Sequence, residues 1–277
     1  MATTVTYKGA TLTTVDNQTK VLQTSGKWCE DDFTLVDVSG GGGITTDDII
    51  ERNITGTVTY DGNTSIPAYA FNSTKITSFT ATNASFAGGN IFQGCSQLTS
   101  ISMPNNTANN ESWAWQIANC PNLTSVNLPK IRHMGESSFQ NDTSLMVIAL
   151  PSILRTPNRC FQGCTSLQTV DLGNPDRTNQ NTFNGCTNLA TIIIRRSDSI
   201  CPLTNTNVFT NTPFANGGTG GTIYIPTALY NHLGDGTSLD YKNASNWATF
   251  DGYGTITWAK IEGSYYETHY ADGTVIS

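Results

Sequence analysis

The chain is poor in charge. Only 13% of its 277 residues are Asp, Glu, Lys or Arg, with 14 basic against 21 acidic side chains and a formal net charge of −7. Nucleic-acid binders present a dense basic face, so this balance argues against that class of partner. Long apolar runs are missing as well. No stretch approaches the roughly 18 residues a membrane helix needs, so membrane insertion is not expected. Residues Met1 to Tyr7 carry neither the basic region nor the apolar region of a classical secretion leader. Histidine is scarce: His133, His232 and His269 are the only three, and none sits in a His-Glu-x-x-His spacing. There is no Gly-x-Ser-x-Gly elbow. The run Ser39 to Gly43 lacks the Lys-Ser/Thr ending of a phosphate loop and reads as a flexible linker. No catalytic group, cofactor site or metal site emerges, and the protein is read as non-enzymatic. A cell-wall glycan hydrolase stays open only as a remote alternative, because paired carboxylates on separate parts of a fold leave no mark in one dimension.

What the chain does have is a repeat. Phe92-Gln93-Gly94-Cys95-Ser96-Gln97-Leu98-Thr99-Ser100-Ile101-Ser102-Met103-Pro104 returns from Phe161 to Leu172 and again from Phe183 to Ile194. Looser copies run from Ile117 to Pro129 and from Phe139 to Pro151, the latter with Asp142 in the Cys place. A first copy, Phe71 to Ala81, is one residue short. Phe139, Phe161 and Phe183 are spaced by 22 residues. A period of about 20–29 residues with a Leu-x-x-Ile-x-Leu core predicts a leucine-rich repeat solenoid. Ile101 and Met103, two apart, share one side of a strand, while the three-residue spacings before them suit a tight winding turn. One coil cannot bury its Phe, Cys, Leu, Ile and Leu alone, but stacked coils can. The fold class is therefore mainly β: a right-handed solenoid of about seven coils of about 22 residues, with a small N-terminal β module.

The repeat, preceded by Ile66-Pro67-x-x-Ala70-Phe71, resembles the BspA-like leucine-rich repeat family over roughly residues 64–250. Members of that family are mostly surface or secreted binding proteins, so the resemblance implies binding without naming a ligand. A second, shorter resemblance covers residues 3–38. There Leu22 to Leu35, with Gly26, Lys27, Trp28, Asp31 and Asp32, is similar to an N-terminal module of phage tail and other virion proteins. That likeness implies a docking unit, with a plain pair of β-hairpins as the alternative.

The domain expectation is a β module at 1–38, a linker at 39–43, a capped solenoid at 44–250 and a β tail at 251–277. Thr45 to Glu51 is expected to be a short capped helix ahead of a strand at Ile54 to Tyr60. Phe209 is expected to open a seventh, degenerate coil, and Tyr224 to Phe250 to close the stack. Cys95, Cys120, Cys164 and Cys186 share one repeat position and read as small buried hydrophobes. Inter-coil disulfides and a zinc site are weaker alternatives, since zinc wants four converging ligands. Cys29, Cys160 and Cys201 look solitary, and Asp142 is expected to bond a turn amide in place of the thiol.

Three surface features are candidates for binding. Seven of the 14 cations lie between positions 130 and 196: Lys130, Arg132, Arg155, Arg159, Arg177, Arg195 and Arg196. Most follow the end of a strand by one to five places, which predicts a basic ridge along one edge, suited to carboxylated or phosphorylated polymers or to an acidic subunit face. Trp113 and Trp115 lie in an insertion, Asn105 to Trp115, and suit either core cover or sugar stacking. The strand positions that alternate with the core, among them Asp171 and Ile193, predict a flat solvated sheet. The functional expectation is a virion component (fibre, tail tip or head decoration), with other virion proteins, a bacterial surface glycan or a surface protein as partner. The alternative is a bacterial cell-surface adhesin. Homo-oligomers fit either.

Overall fold

The computed structural model describes residues 3–7, 10–14, 21–22, 28–29, 55–60, 65–108, 111–261, 268–269 and 275–276. The expected helix at 45–51 and the expected linker at 39–43 lie outside these residues. Strands β1 (Thr3–Tyr7) and β2 (Ala10–Thr14) form an antiparallel hairpin, as do β3 (Val21–Leu22) and β4 (Trp28–Cys29). From β5 (Thr55–Tyr60) onward the chain winds. β6 (Ser65–Pro67) and β8 (Ser85–Ala87) form a small parallel pair on either side of β7 (Lys75–Ala81) in sequence. Then β9 (Ser100–Ser102), β10 (Ser125–Asn127), β11 (Val147–Leu150), β12 (Thr169–Leu172), β13 (Thr191–Ile194) and β14 (Gly221–Pro226) supply one strand per coil. After α1 (Thr227–Tyr230) and α2 (Trp247–Gly252), β15 (Ile256–Ile261) ends the stack, and β16 (Thr268–His269) pairs with β17 (Val275–Ile276).

The coils' strands lie in two parallel stacks: β5-β7-β9-β10, and β11-β12-β13-β14-β15. Two boundaries differ from the expectation. β2 pairs antiparallel with β5, so the N-terminal hairpin extends the solenoid's own sheet across the glycine run. β15 pairs in parallel with all six residues of β14, so residues to 261 also continue the sheet.

Each coil follows from its spacing. In Phe-x-x-Cys-x-x-Leu, the Cys164 amide donates to the Phe161 carbonyl at 3.1 Å and the Leu167 amide to the Cys164 carbonyl at 3.1 Å. Two successive turns of three residues put Phe, Cys and Leu on one side, and the strand then adds Val170 and Leu172. These five side chains are at most 1% exposed. Stacking makes the column continuous: the ring centroids of Phe139 and Phe161 lie 5.4 Å apart, those of Phe161 and Phe183 5.7 Å, and those of Phe183 and Phe209 5.6 Å, all nearly parallel. Phe71 and Phe92 stack likewise at 5.3 Å, and Ile117 takes the ring's place in the coil between the two Phe runs. Phe209 opens the expected seventh coil.

The turn face opposite the strands is built from alternating backbone hands. Two residues in each of the first six coils adopt positive φ, at two places before and two places after the Phe position, and the seventh coil keeps only the later one. The later site holds Gly94, Gly163 and Gly185 or Ser73, Asn119, Asn141 and Asn211. The earlier site holds Tyr69, Asn90, Trp115, Ser137, Arg159 and Asn181. Glycine and asparagine tolerate this region, which explains the Gly of the motif. Alternation turns successive amides the same way, and each coil donates to carbonyls of the next: Arg159 to Gln180 at 3.2 Å, Phe161 to Thr182 at 2.9 Å and Gly163 to Asn184 at 2.9 Å.

Candidate functional site

The Cys column is a hydrogen-bonded spine. The thiol of each coil donates to the carbonyl that opens the previous coil: Cys95 to Phe71 at 2.9 Å, Cys120 to Phe92 at 3.0 Å, Cys164 to Phe139 at 2.9 Å and Cys186 to Phe161 at 3.0 Å. Thr74 and Thr212 occupy the same place in the first and last coils and donate to their own Phe carbonyls at 2.8 and 2.7 Å. Cys95, Cys120, Cys160, Cys164, Cys186 and Cys201 are free and buried. Burial pushes the Cys120, Cys160 and Cys164 thiols well up, and Cys186 and Cys201 to about 12, so these five are poor nucleophiles; at Cys95 burial also raises the pKa, but the hydrogen bonds with Cys120 and Thr74 outweigh it and bring that thiol below its ordinary value inside the core. Cys160 and Cys201 are not isolated. Cys160 packs in the core, and Cys201 lies 3.5 Å from the Thr178 hydroxyl.

Asp142 completes the spine differently. Its Oδ1 accepts the Cys120 amide at 2.8 Å, as the sequence suggested, and the Cys120 thiol is shared between the Phe92 carbonyl at 3.0 Å and the Ile117 carbonyl at 2.7 Å. Oδ2 is buried with no hydrogen-bond partner. Burial raises the Asp142 pKa well above its ordinary range, outweighing the bond from the Cys120 amide. Burial and the unpartnered Oδ2 both favour the neutral carboxylic acid over the carboxylate. Among the described residues no cluster of His, Cys, Asp and Glu could hold a metal ion.

The structure sets most of the expected ridge cations against acids or amides. Arg155 donates to Glu111 at 2.6 Å and to Asp176 at 3.1 and 3.3 Å, and His133 lies 2.7 Å from the same Glu111. Burial would raise the Glu111 pKa, but the bonds from His133 and Arg155 outweigh it and hold the carboxyl below its usual value. Arg159 pairs with Glu136, Arg195 chelates Asp171 at 2.8 and 2.6 Å, and Arg196 meets Asp198 at 3.0 Å. Lys130 donates to Asn105 at 2.7 Å. Among the described residues Arg132 and Arg177 have no carboxylate within ion-pair distance. Pro151, Gly173, Asn174, Arg195, Ser197 and Asp198 line an open groove of about 360 Å³ beside this edge, just past the ends of β11, β12 and β13. The pairing of Arg155 was invisible in sequence because its partners lie 21 and 44 positions away. The strand face is less solvated than expected there: Asp171 is 2% exposed, beneath the Arg195 guanidinium, and Ile193 is fully buried.

The two insertion tryptophans separate. Trp113 packs against the core, and its carbonyl sits so close that a Cβ on Gly135 would lie 1.9 Å from it. Trp115 is 40% exposed, on the turn face, in the same positive-φ column as Tyr69, which is 44% exposed. Trp115 Nε1 donates to Gln140 Oε1 at 3.3 Å, and Gln140 Nε2 donates to Gln162 Oε1 at 3.0 Å. Asn72 Nδ2 donates in the same way to Gln93 Oε1 at 3.2 Å. Sequence reasoning missed Tyr69 and this amide row. The signal present was the recurring Gln/Asn directly after Phe: Asn72, Gln93, Gln140, Gln162 and Asn184.

Solved structures similar to the chain include a Treponema pallidum leucine-rich repeat protein. It is 19% identical over 55% of this chain and 80% of that one, with a TM-score of 0.40. A leucine-rich cell surface protein from Faecalibacterium prausnitzii is 16% identical over 78% and 70%, with a TM-score of 0.42. A leucine-rich repeat protein from Bacteroides ovatus is 14% identical over 76% and 70%, with a TM-score of 0.33. No curated protein matches the chain. The model of the BspA type leucine-rich repeat region matches residues 64–190 and 116–217 in six copies. That match spans more than half of the sequence and coincides with the stacked coils described above, so the chain belongs to the BspA type leucine-rich repeat family.

Proposed function

We propose that the protein is a non-enzymatic binding protein of a bacterial surface, and that its solenoid is the binding element. The observation that carries this reading is where the reactive chemistry sits. The described thiols and Asp142 are all buried in the spine and serve the fold, while the outer faces carry hydroxyls, amides and mostly paired charges. Membership of a repeat family associated with surface proteins supports the location. The virion reading rested on a short likeness within residues 3–38, and none of the comparisons bears on it. The repeat family favours the surface. Arg132 and Arg177 are the cations left to meet acidic groups of a partner along the expected ridge.

Two measurements test the proposal. Antibodies against the chain are expected to decorate intact producing cells. Decoration of purified phage particles instead would restore the virion reading. Labelled full-length protein is expected to bind intact bacterial or epithelial cells saturably and to release no soluble sugar from cell-wall glycans. Sugar release would overturn the non-enzymatic reading.

A further inference from the structure

We infer that the turn face over the first four coils, from Tyr69 to Gln140, is a binding strip for a neutral, linear β-1,4-linked polysaccharide. The inference deepens the surface-binding proposal and rests on it. Three observations carry it.

The first is spacing. Tyr69, Asn90 and Trp115 occupy one column of the inter-coil ladder. The Tyr69 amide donates to the Gly89 carbonyl at 3.2 Å and the Asn90 amide to the Ala114 carbonyl at 3.0 Å, so the three residues sit on consecutive, hydrogen-bonded coils. Two ladder steps of about 4.8 Å separate the aromatic side chains by roughly 10 Å, about the length of one disaccharide. In a β-1,4-linked chain alternate rings are flipped, so sugars two apart present the same face. Aromatic side chains anchored on backbone positions at that separation match the repeat.

The second is polarity. Sugar C–H faces stack on aromatic rings, and the hydroxyls at their edges need groups that both donate and accept. The flanking row supplies amides whose orientation is fixed. Trp115 feeds Gln140, Gln140 feeds Gln162, and Asn72 feeds Gln93. In each of these chains the terminal amide nitrogen, on Gln162 or Gln93, donates to no protein group among the described residues, and both side chains are half-buried. Fixed amides lose little freedom on binding, which favours affinity.

The third is charge. The chain carries a net charge of −7, yet the side chains of this strip, Tyr69, Asn72, Asn90, Gln93, Trp115 and Gln140, are all uncharged, and Arg159 at its end is paired with Glu136. A neutral polyhydroxylated chain fits such side chains better than an acidic polymer or a nucleic acid does.

The test is calorimetric titration of the full-length protein with cellohexaose and with chitohexaose. Because Tyr69 and Trp115 both have positive φ, the variants are Tyr69→Asn and Trp115→Asn, the residue type that already fills this column at Asn90 and Asn181. Saturable binding of at least one hexaose is expected, weakened tenfold or more by each substitution. Trp115→Phe, which keeps a stacking face, should recover part of the loss. Tyr253→Ala, at an exposed aromatic outside the strip, should leave binding unchanged. Preference for chitohexaose would mean that acetamido groups contribute, and preference for cellohexaose that ring and hydroxyl contacts suffice. Failure of the wild type to bind either sugar, or equal binding by the Asn variants, overturns the strip. Cell binding that persists unchanged in Trp115→Asn would leave the surface reading standing and remove this site alone.

Discussion

At the level of single residues, one place in each coil asks for a short side chain that can donate a hydrogen bond. Cys meets that demand four times, and Thr74 and Thr212 meet it at the two ends. Asp142 departs from it: Oδ1 accepts the Cys120 amide and the buried Oδ2 donates to no group. As a carboxylate it would leave an uncompensated buried charge in the core. Its folded pKa lies above the ordinary value of 3.8, so between those two values the folded state holds a proton that the unfolded chain has lost. The contribution of Asp142 to stability is therefore present at low pH and falls as pH rises through that window, by up to about 1.4 kcal/mol per unit. Asp142→Asn keeps the acceptor for the Cys120 amide and cannot ionise. Urea denaturation at pH 5 and pH 8 is expected to show a loss of stability in the wild type that the variant lacks, with the variant more stable at pH 8 by about 1–3 kcal/mol. An equal loss in both proteins would mean that Asp142 is ionised when folded. The same burial protects the thiols: iodoacetamide should modify Cys95, Cys120, Cys160, Cys164, Cys186 and Cys201 only after denaturation, as mass spectrometry of peptides would show.

At the level of the coil, the left-handed positions decide which substitutions are tolerated. Gly163 has φ +76°, and a Cβ there would lie 2.3 Å from Asn141 Oδ1. Gly163→Ala is expected to lower stability by about 1 kcal/mol or more, measured by urea denaturation, through backbone strain and displacement of the Asn141 side chain. Gly217 offers a control. Its φ is +75° with open space around it, so an Ala there meets backbone strain alone and should be less costly than at Gly163. These positions also show what the sequence could reveal. The Phe-x-Gly-Cys-x-x-Leu spacing was legible because each apolar residue recurs at a fixed offset set by successive three-residue turns. The earlier left-handed column was not, because Tyr69, Trp115, Ser137 and Arg159 share a backbone conformation and no chemistry. Thr74 and Thr212 were hidden for a related reason. A spine recognised by its thiols is really a spine of donors. The ridge cations were legible as a cluster, whereas their neutralisation by Glu111, Glu136, Asp171 and Asp176 depended on which turns come to stack.

At the level of the whole molecule, a stack in which each coil touches only its neighbours is as secure as its ends. The C-terminal end is closed by aromatics from the helical segment: Trp247 and Phe250 contact Phe209 at centroid distances of 5.8 and 5.0 Å. The closure is also hydrogen-bonded, since Trp247 Nε1 donates to the Cys201 carbonyl at 2.7 Å and the Cys201 amide donates to the Tyr241 hydroxyl at 2.8 Å. Asp240 pins the loop ahead of it by accepting from the amides of Gly234, Gly236 and Lys242 at 2.9, 3.0 and 2.9 Å. Trp247→Ala should cost about 3–5 kcal/mol, since it removes a fully buried aromatic and leaves the Cys201 carbonyl without its donor. Nearest-neighbour coupling predicts where that loss appears. Hydrogen exchange should quicken most in the coils of Phe209 and Phe183 and least in those of Phe71 and Phe92, because each intact interface between them absorbs part of the disturbance. Uniform acceleration along the chain would mean that the coils unfold as one cooperative block. The sugar-binding strip from Tyr69 to Gln140 would then weaken together with the cap; under graded exchange, binding by Trp247→Ala should stay close to that of the wild type.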